Sequence, residues 1–300
     1  MNSILFIYNP NAGKGSINGV LSEIIQLLSK NGNTVSLLPT QRDKNVLTHL
    51  PLSFYQYSHI LVSGGDGTLN NFVEAIMEIP KVLRPVCSYL PAGTVNDFAS
   101  SLSIPKDPLK AIKLLFDAPI YFPYDIGSIN DRYFTYIAGF GAFTEVSYET
   151  PQASKNLLGK MAYVLNGVKR LPNLKTYQIT ASSKTHTITD NIIYGMVCNT
   201  YSVGGFMKFQ GPSIDLADGK FEVVLVKAPK TLADLNQLLF DLTTKNINSP
   251  HLYCFRTDHL HLVCEEEIPW TVDGEFGGSY READIYNHQK ALTFLIPQKP

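Results

Sequence analysis

Three short apolar strands near the start of the chain each run straight into a loop of glycine and small polar residues. The strands cover residues 4–8, 60–63 and 86–90; the loops are Asn9-Pro10-Asn11-Ala12-Gly13-Lys14-Gly15, Gly64-Gly65-Asp66-Gly67-Thr68 and Pro91-Ala92-Gly93-Thr94-Val95-Asn96-Asp97. Around them, apolar residues at helical spacing predict helices over 20–30, 69–77, 95–102 and 109–116, with a further strand over 35–38. Strands alternating with helices specify a mostly parallel sheet covered on both faces. In such a sheet ligands bind beyond the carboxyl ends of the strands, so the three loops converge on one place. Glycine lets backbone N–H groups approach a phosphate, and a helix starting after each loop adds donors and partial positive charge. Any one loop alone reads equally well as an ordinary turn. Three of them after three strands, one holding a carboxylate between glycines, predict a phosphate-binding crevice. The first loop lacks the leading glycine of a Walker A motif. Gly139-Phe140-Gly141-Ala142-Phe143-Thr144 lacks the last residue and the strand-helix-strand setting of a dinucleotide fingerprint.

From about Tyr121 the rhythm changes. Segments 120–129 and 132–138, separated by the turn pair Asn130-Asp131, read as strands, as do 177–181, 192–199, 221–227, 259–264 and 292–296. Helical patterns interrupt them at 155–171 and 232–242. The expected division is an α/β domain over 1–123, a mainly antiparallel β domain over 124–289, and a last strand in 290–300 that returns to the first domain. A chain of 300 residues, 44% apolar, has the material for this. Lys and Arg number 25 against 26 Asp and Glu, a net charge of −1 that argues against a general nucleic-acid binder. Cys87, Cys198, Cys254 and Cys264 contain no Cys-x-x-Cys pair and read as reduced core thiols. The apolar run at 4–8 is too short for a signal peptide, and no apolar run approaches the roughly 18 residues of a spanning helix. The expectation is a cytoplasmic protein, at most lying on a membrane surface.

Asn9-Pro10, Gly64-Gly65-Asp66-Gly67-Thr68 and Pro91-Ala92-Gly93-Thr94-Val95-Asn96-Asp97-Phe98-Ala99, taken together, resemble the catalytic domain of the diacylglycerol kinase and lipid kinase family. The second element alone is shared with NAD kinases and phosphofructokinases; the set of three is more specific. Gly139-Phe140-Gly141, Gly159-Lys160-Met161-Ala162-Tyr163, Asp218-Gly219 and Asp273-Gly274-Glu275 follow in the family's order, so the resemblance covers essentially the whole chain. It implies an NAD-kinase-like α/β domain, a C-terminal antiparallel β-sandwich and an active site in the cleft between them. It also implies ATP as donor, Mg²⁺, and a lipid alcohol as acceptor, with diacylglycerol leading. Phosphatidylglycerol, a sphingoid base or NAD as acceptor, and a non-catalytic nucleotide- or lipid-binding protein, are the rival readings. A peripheral association with membrane is implied, and a homodimer is left open.

By the same resemblance, backbone N–H groups of Gly64, Gly65, Asp66, Gly67, Thr68, Leu69 and Asn70 hold the nucleotide phosphates. Asn9, Pro10, Asn11, Ala12, Gly13, Thr40, Gly93, Thr94, Asn96 and Asp97 flank them. Asp66 holds the catalytic Mg²⁺ and Glu275 is the general base. From the residues alone, Asp273-Gly274-Glu275 reads as a hairpin turn between Pro269 and Gly277-Gly278. A carboxylate of ordinary pKa, about 4.3, is a weak base, so burial, a neighbouring carboxylate or metal charge must assist it. Asp215-Leu216-Ala217-Asp218-Gly219-Lys220 reads as an Asp-Gly turn. The resemblance adds a structural Mg²⁺ there, held by the Asp218 carboxylate and the carbonyls of Asp215 and Lys220, although Ala217 stands where the family often has Asp. Ser100 stands where the family commonly has Arg, which removes a cation that could meet a lipid or product phosphate.

Two features remain outside this scheme. Segment 155–175 carries five basic residues, Lys155, Lys160, Lys169, Arg170 and Lys175, and no acidic one; it reads as a core helix with a solvated basic face ahead of a membrane contact. His259 and His261, two apart on a strand, point the same way, but no neighbouring spacing of Cys, His or Asp completes a zinc site, and they read as structural.

Overall fold

The parallel sheet expected for the first part of the chain is present in the computed structural model, which describes residues 2–15, 17–40, 54–94, 96–141, 175–199, 215–244 and 246–298. The helix expected at 155–171, with Gly159-Lys160-Met161-Ala162-Tyr163, lies outside the described residues. The chain packs as two units, Met1–Tyr124 with Lys290–Pro300, and Asp125–Gln289.

In the first unit, β1 (Ser3–Tyr8), β2 (Thr34–Pro39), β3 (His59–Gly64) and β4 (Val86–Pro91) lie in the order β2-β1-β3-β4, all parallel. All six residues of β3 are buried, as their near-continuous apolar run predicts for a strand covered on both faces. The end of the chain's last strand adds a parallel neighbour to β4, with Phe294 opposite Cys87. Helices α1 (Leu21–Leu28), α2 (Asp66–Met77), α3 (Asp97–Ser101) and α4 (Pro108–Asp117) belong to this unit. Two of them begin where the sequence did not place them. Helix α2 starts three residues before the periodic stretch 69–77, at the glycine loop itself. Helix α3 is shorter than 95–102 because Asn96, at φ 56°, is left-handed and cannot extend it. Phe98 fixes α3 to the sheet: its ring centroid lies 5.7 Å from Tyr89, 5.2 Å from Tyr124 and 5.0 Å from Phe294. Arg84 donates to the carbonyls of Met77, Ile79 and Ala291, tying the C-terminal end of α2 to the last strand.

The second unit contains the end of β5 (Pro119–Ile129), then β6 (Arg132–Phe134), β7 (Ile137–Gly141), β8 (Tyr177–Ser182), β9 (Thr187–Cys198) and β10 (Phe221–Lys227). After these come α5 (Leu232–Thr244), β11 (Leu252–Thr257), β12 (His259–Val272) and β13 (Glu275–Pro297), the last of which runs on into the first unit. The antiparallel order is β11-β10-β9-β7-β12-β13, with β8 pairing β9 and β12. Strands β9 and β10 alternate between two cores. Val197, Val223 and Leu225 face a cluster with Phe140, Phe221 and Trp270, whereas Met196, Val224 and Val226 face Leu235, Leu238 and Leu242 of α5.

Several boundaries differ from the sequence expectation. The single strand expected over 132–138 is two, interrupted at Thr135-Tyr136, where the backbone donates to a buried carboxylate rather than to a neighbouring strand. Strand β11 was not foreseen, and β12 runs eight residues past 264. Glu265-Glu266-Glu267 sit exposed at a bulge where the pairing jumps from Val263 to Ile268, and Pro269 pairs with Ser279 once the pairing resumes, so the strand runs on past 264. Cys87, Cys198 and Cys264 are buried, Cys254 is half-buried, and all four are free thiols.

His59, at the start of β3, is buried against Phe116 with ring centroids 5.1 Å apart, and its Nε2 has no hydrogen-bond partner among the described residues. Burial pulls its pKa from 6.5 down to about 4. The folded state therefore holds His59 neutral, while the unfolded chain takes up a proton near pH 6.5. The contribution is fully present above that pH and is lost as pH falls toward about 4, a change of about 3 kcal/mol. His59→Leu is expected to flatten the acid limb of stability measured by urea unfolding between about pH 7 and pH 4.5; an unchanged slope would contradict this reading of the site.

Candidate active site

In the first unit the loops that follow β1, β3 and β4 are bonded to one another. Asn9 N–H donates to Ser63 O at 2.8 Å, and its Nδ2 donates to Thr68 Oγ1 at 3.3 Å. Its Oδ1 accepts Asn11 N–H at 2.9 Å, Ala12 N–H donates to Asn9 O, and Pro10 O accepts Asn18 Nδ2, which closes a tight turn through Gly13. Thr40 N–H donates to Tyr8 O at 2.8 Å, so the end of β2 reaches the same edge. The third loop folds onto the second, because Ala92 and Gly93 N–H both donate to Gly64 O, at 2.8 and 3.1 Å. A Cβ on Gly93 would lie 2.6 Å from Gly65 Cα, and one on Gly64 would lie 2.4 Å from Thr68 Cβ. At Gly93 the two backbones touch, and at Gly64 the Thr68 side chain fills the space, so no residue larger than glycine fits either position.

Asn96 locks this contact. Its Nδ2 donates to Gly93 O at 2.6 Å and its Oδ1 accepts Gly93 N–H at 2.9 Å, and the left-handed backbone of Asn96 is what turns the amide back onto the loop. The buried Tyr89 hydroxyl lies 2.9 Å from Gly64 O and 3.3 Å from Asn96 Oδ1. Gly65 caps α2 without a side chain, and Leu69 N–H already donates to Gly65 O. Within the stretch 64–70, Leu69 N–H is thus taken inside the helix and the Leu69 and Asn70 side chains are buried, whereas the amides of Asp66, Gly67 and Thr68 belong to the first turn, where no intrahelical carbonyl is available. Asp66 places its carboxylate at the positive end of α2, where Oδ2 accepts Asp97 N–H at 3.3 Å. Burial, then the charge of Asp66, hold the Tyr89 hydroxyl well above its usual pKa. Thr94 is exposed on the loop, and Ser100 Oγ donates back to Asn96 O.

In the second unit, Asp273 (φ 48°) and Gly274 (φ 88°) form the two-residue connection between β12 and β13, with Val272 opposite Glu275. The hairpin reading of these residues is thus correct as local structure, and Glu275 stands exposed at its edge. Asp273 is the residue whose role the sequence did not disclose. It is buried, and its carboxylate accepts Thr135 N–H, Thr135 Oγ1–H, Tyr136 N–H and Ile137 N–H at 2.6–3.1 Å. Burial pushes its carboxyl above the usual pKa, against the pull of these hydrogen bonds.

The Asp215 turn closes on itself. Asp215 Oδ1 accepts Ala217 N–H, Asp218 Oδ1 accepts Lys220 N–H, and Gly219 N–H donates to Asp125 Oδ2 at 2.7 Å. Arg256 spans Asp218 Oδ2 and the buried Glu222, whose carboxyl burial pushes up to about 7. The guanidinium supplies at Asp218 the charge that a structural ion would bring. Asp218 is the carboxylate that the sequence resemblance gives to a structural Mg²⁺, with the carbonyls of Asp215 and Lys220 beside it.

Residues 3–128 match the model of the diacylglycerol kinase catalytic domain, and residues 137–285 match that of the YegS C-terminal NAD kinase beta sandwich-like domain. The diacylglycerol kinase of Staphylococcus carnosus is 33% identical over 97% of this chain and 94% of its own length, and that of Bacillus subtilis is 31% identical over 98% and 96%. The chain belongs to the diacylglycerol kinase family. It is accordingly an enzyme, a lipid kinase by family, with ATP implied as phosphoryl donor. A solved structure of a protein from Bacillus anthracis shares the fold, with a TM-score of 0.80 over 99% of this chain at 22% identity. The fold is the α/β domain joined to an antiparallel β-sandwich that the sequence resemblance implied. Among the described residues no helix is long and apolar enough to cross a membrane.

Sequence reasoning passed over Tyr89, Asp125, Arg256 and Asp273. Only Asp273 lay inside a quoted motif, and there its turn propensity hid its part as a buried acceptor. Asp273→Ala leaves three backbone amides and a hydroxyl without their acceptor. It is expected to cost at least about 3 kcal/mol in urea unfolding, whereas Glu275→Ala, one turn residue away and exposed, is expected to change stability little. Equal midpoints for the two variants would remove Asp273 from its structural role.

Proposed function

We propose that this enzyme transfers the γ-phosphoryl group of ATP to the hydroxyl of a lipid alcohol in the presence of Mg²⁺, with diacylglycerol as acceptor and phosphatidic acid as product. The observation that carries the reading is the start of α2, which has no side-chain cap, lies against the third glycine loop through the Gly65 and Gly93 backbones, and carries the Asp66 carboxylate in its first turn. Amides at a helix start bind phosphate oxygens, and a carboxylate among them serves the metal that phosphates bring. Asp66, with the neighbouring Asp97, offers the hard oxygen donors that Mg²⁺ takes. When bound, the ion neutralises charge on the transferring phosphoryl group. Gly65, Gly67 and Thr68 amides orient the β- and γ-phosphates for in-line displacement. The acceptor oxygen bonds to phosphorus as the bond to the ADP oxygen breaks, and Glu275 receives the acceptor's proton.

Support for a lipid acceptor comes from the family and from relatives named diacylglycerol kinase that match over nearly their whole length. The test is transfer of labelled γ-phosphate from ATP to diacylglycerol, phosphatidylglycerol, a sphingoid base and NAD in parallel, the lipids in mixed micelles. Diacylglycerol is expected to be the best acceptor, and Asp66→Asn and Glu275→Gln are each expected to lower kcat by about 10²–10⁴-fold. Near-normal turnover in both variants would overturn the residue roles; transfer to NAD alone would overturn the lipid assignment.

A further inference from the structure

Strands β12 and β13 pair His259 with Tyr286, His261 with Asp284 and Val263 with Glu282. Leu260, Leu262, Ala283 and Ile285 fill one face and are buried in the core of the second unit. The opposite face therefore gathers His259, His261, Glu282, Asp284 and Tyr286. Asp284 Oδ1 lies 3.1 Å from His259 Nε2 and 2.9 Å from His261 Nδ1, and His261 Nε2 lies 3.6 Å from Glu282 Oε1. One ligand atom from each of His261, Glu282 and Asp284 falls within 4.8 Å of the others. The surroundings hold these groups in place. The His259 ring stacks on Tyr286 at 4.1 Å and 7°, and the Asp284 backbone is bonded on both sides to Asn130. None of these residues belongs to the phosphate loops, the Asp273 hairpin or the Asp215 turn.

We propose that His261, Asp284 and Glu282 bind a divalent cation of the zinc class, with His259 bonded to Asp284 as the group that aims its carboxylate. Imidazole with two carboxylates is the donor set of zinc-class ions, and Mg²⁺, which prefers an all-oxygen octahedron, gains little from a ring nitrogen. Bonds of about 2.0–2.2 Å place ligand atoms of a tetrahedral ion about 3.3–3.6 Å apart, and one ligand atom from each of the three residues already lies within 4.8 Å of the others. Asp284 faces Nδ1 of His261 and Glu282 faces Nε2, so the exposed Glu282 side chain swings to join an ion held at one ring nitrogen. The two strands supply three ligands and leave a fourth position to water, because His261 and Asp284 are only partly covered and Glu282 is exposed. The sequence alone could not show this site. Two histidines were visible at 259 and 261, but their carboxylate partners stand more than twenty residues on and meet them only through the β12–β13 register. The ion would bridge neighbouring strands of the sandwich and so stabilise the folded second unit, since a ligand that binds only the folded form raises its stability.

The test is isothermal titration of Zn²⁺ into the untagged full chain, stripped with chelator and held in excess Mg²⁺, with thermal unfolding followed in parallel. One equivalent of Zn²⁺ is expected to bind and raise the unfolding temperature. His261→Gln and Asp284→Asn are expected to weaken binding about 10–100-fold and to abolish the rise, and His259→Ala to weaken it less. Circular dichroism establishes that the variants are folded before titration. Kinase turnover of His261→Gln measured without Zn²⁺ is expected to match the parent. Zn²⁺ binding of the same affinity in His261→Gln and the parent, displacement of Zn²⁺ by Mg²⁺, or the absence of saturable binding would each overturn the site.

Discussion

The phosphate site depends on two peptide segments that lie in direct contact, Gly64-Gly65 at the end of β3 and Gly93 beyond the end of β4. A parallel sheet brings these ends to one edge, but adjacency alone would leave two separate turns. Absence of a Cβ at Gly93 lets the turns interlock through Gly64 O, which takes N–H groups from both Ala92 and Gly93. The lock then needs a side chain that can act as donor and acceptor at once, and Asn96 provides both atoms to Gly93. Its left-handed backbone carries a strain of order 1 kcal/mol, offset by these bonds. Helix α3 begins at the next residue, and Phe98 anchors it in the aromatic cluster of Tyr89, Tyr124 and Phe294. Core packing thus reaches the site through two residues of chain. The result is a helix start at α2 with no side-chain cap, an arrangement that leaves its amides for a ligand.

The second unit uses a buried carboxylate in a similar way. Asp273 sits in a two-residue hairpin and takes four donors from the segment between β6 and β7, which ends one strand and starts the next. A buried carboxylate without partners would be costly; four donors make it a rivet. The exposed Glu275 two residues on inherits a fixed position from it. At the Asp215 turn the same need for charge balance is met by Arg256, which spans Asp218 and Glu222.

The parallel half was legible because its strands are continuous apolar runs and its loops carry glycine at the strand ends, two signals of local origin. The strands at 4–8, 60–63 and 86–90 each lie within an observed strand. The phosphate loops were legible for the same reason, and the resemblance of all three together identified the family. What stayed hidden is non-local. Nothing in a single sequence says that Tyr89 reaches Gly64, that Asp273 captures the amides of Thr135 to Ile137, or that Asp284 comes to lie across from His261. The antiparallel half was read less well. A bulge lets Glu265-Glu266-Glu267 sit within β12, and the interruption of 132–138 is imposed by a residue more than a hundred positions away.

Equilibrium binding of ATP to Gly93→Ala, compared with the parent chain, bears most directly on the role given to the Gly65 and Gly93 contact. The added methyl group must push the two loops apart, since its Cβ would come 2.6 Å from Gly65 Cα. The structure predicts a fall in ATP affinity of about tenfold or more in a chain that circular dichroism shows to be folded. Unchanged affinity in that folded variant would mean that the loop contact does not shape the nucleotide site.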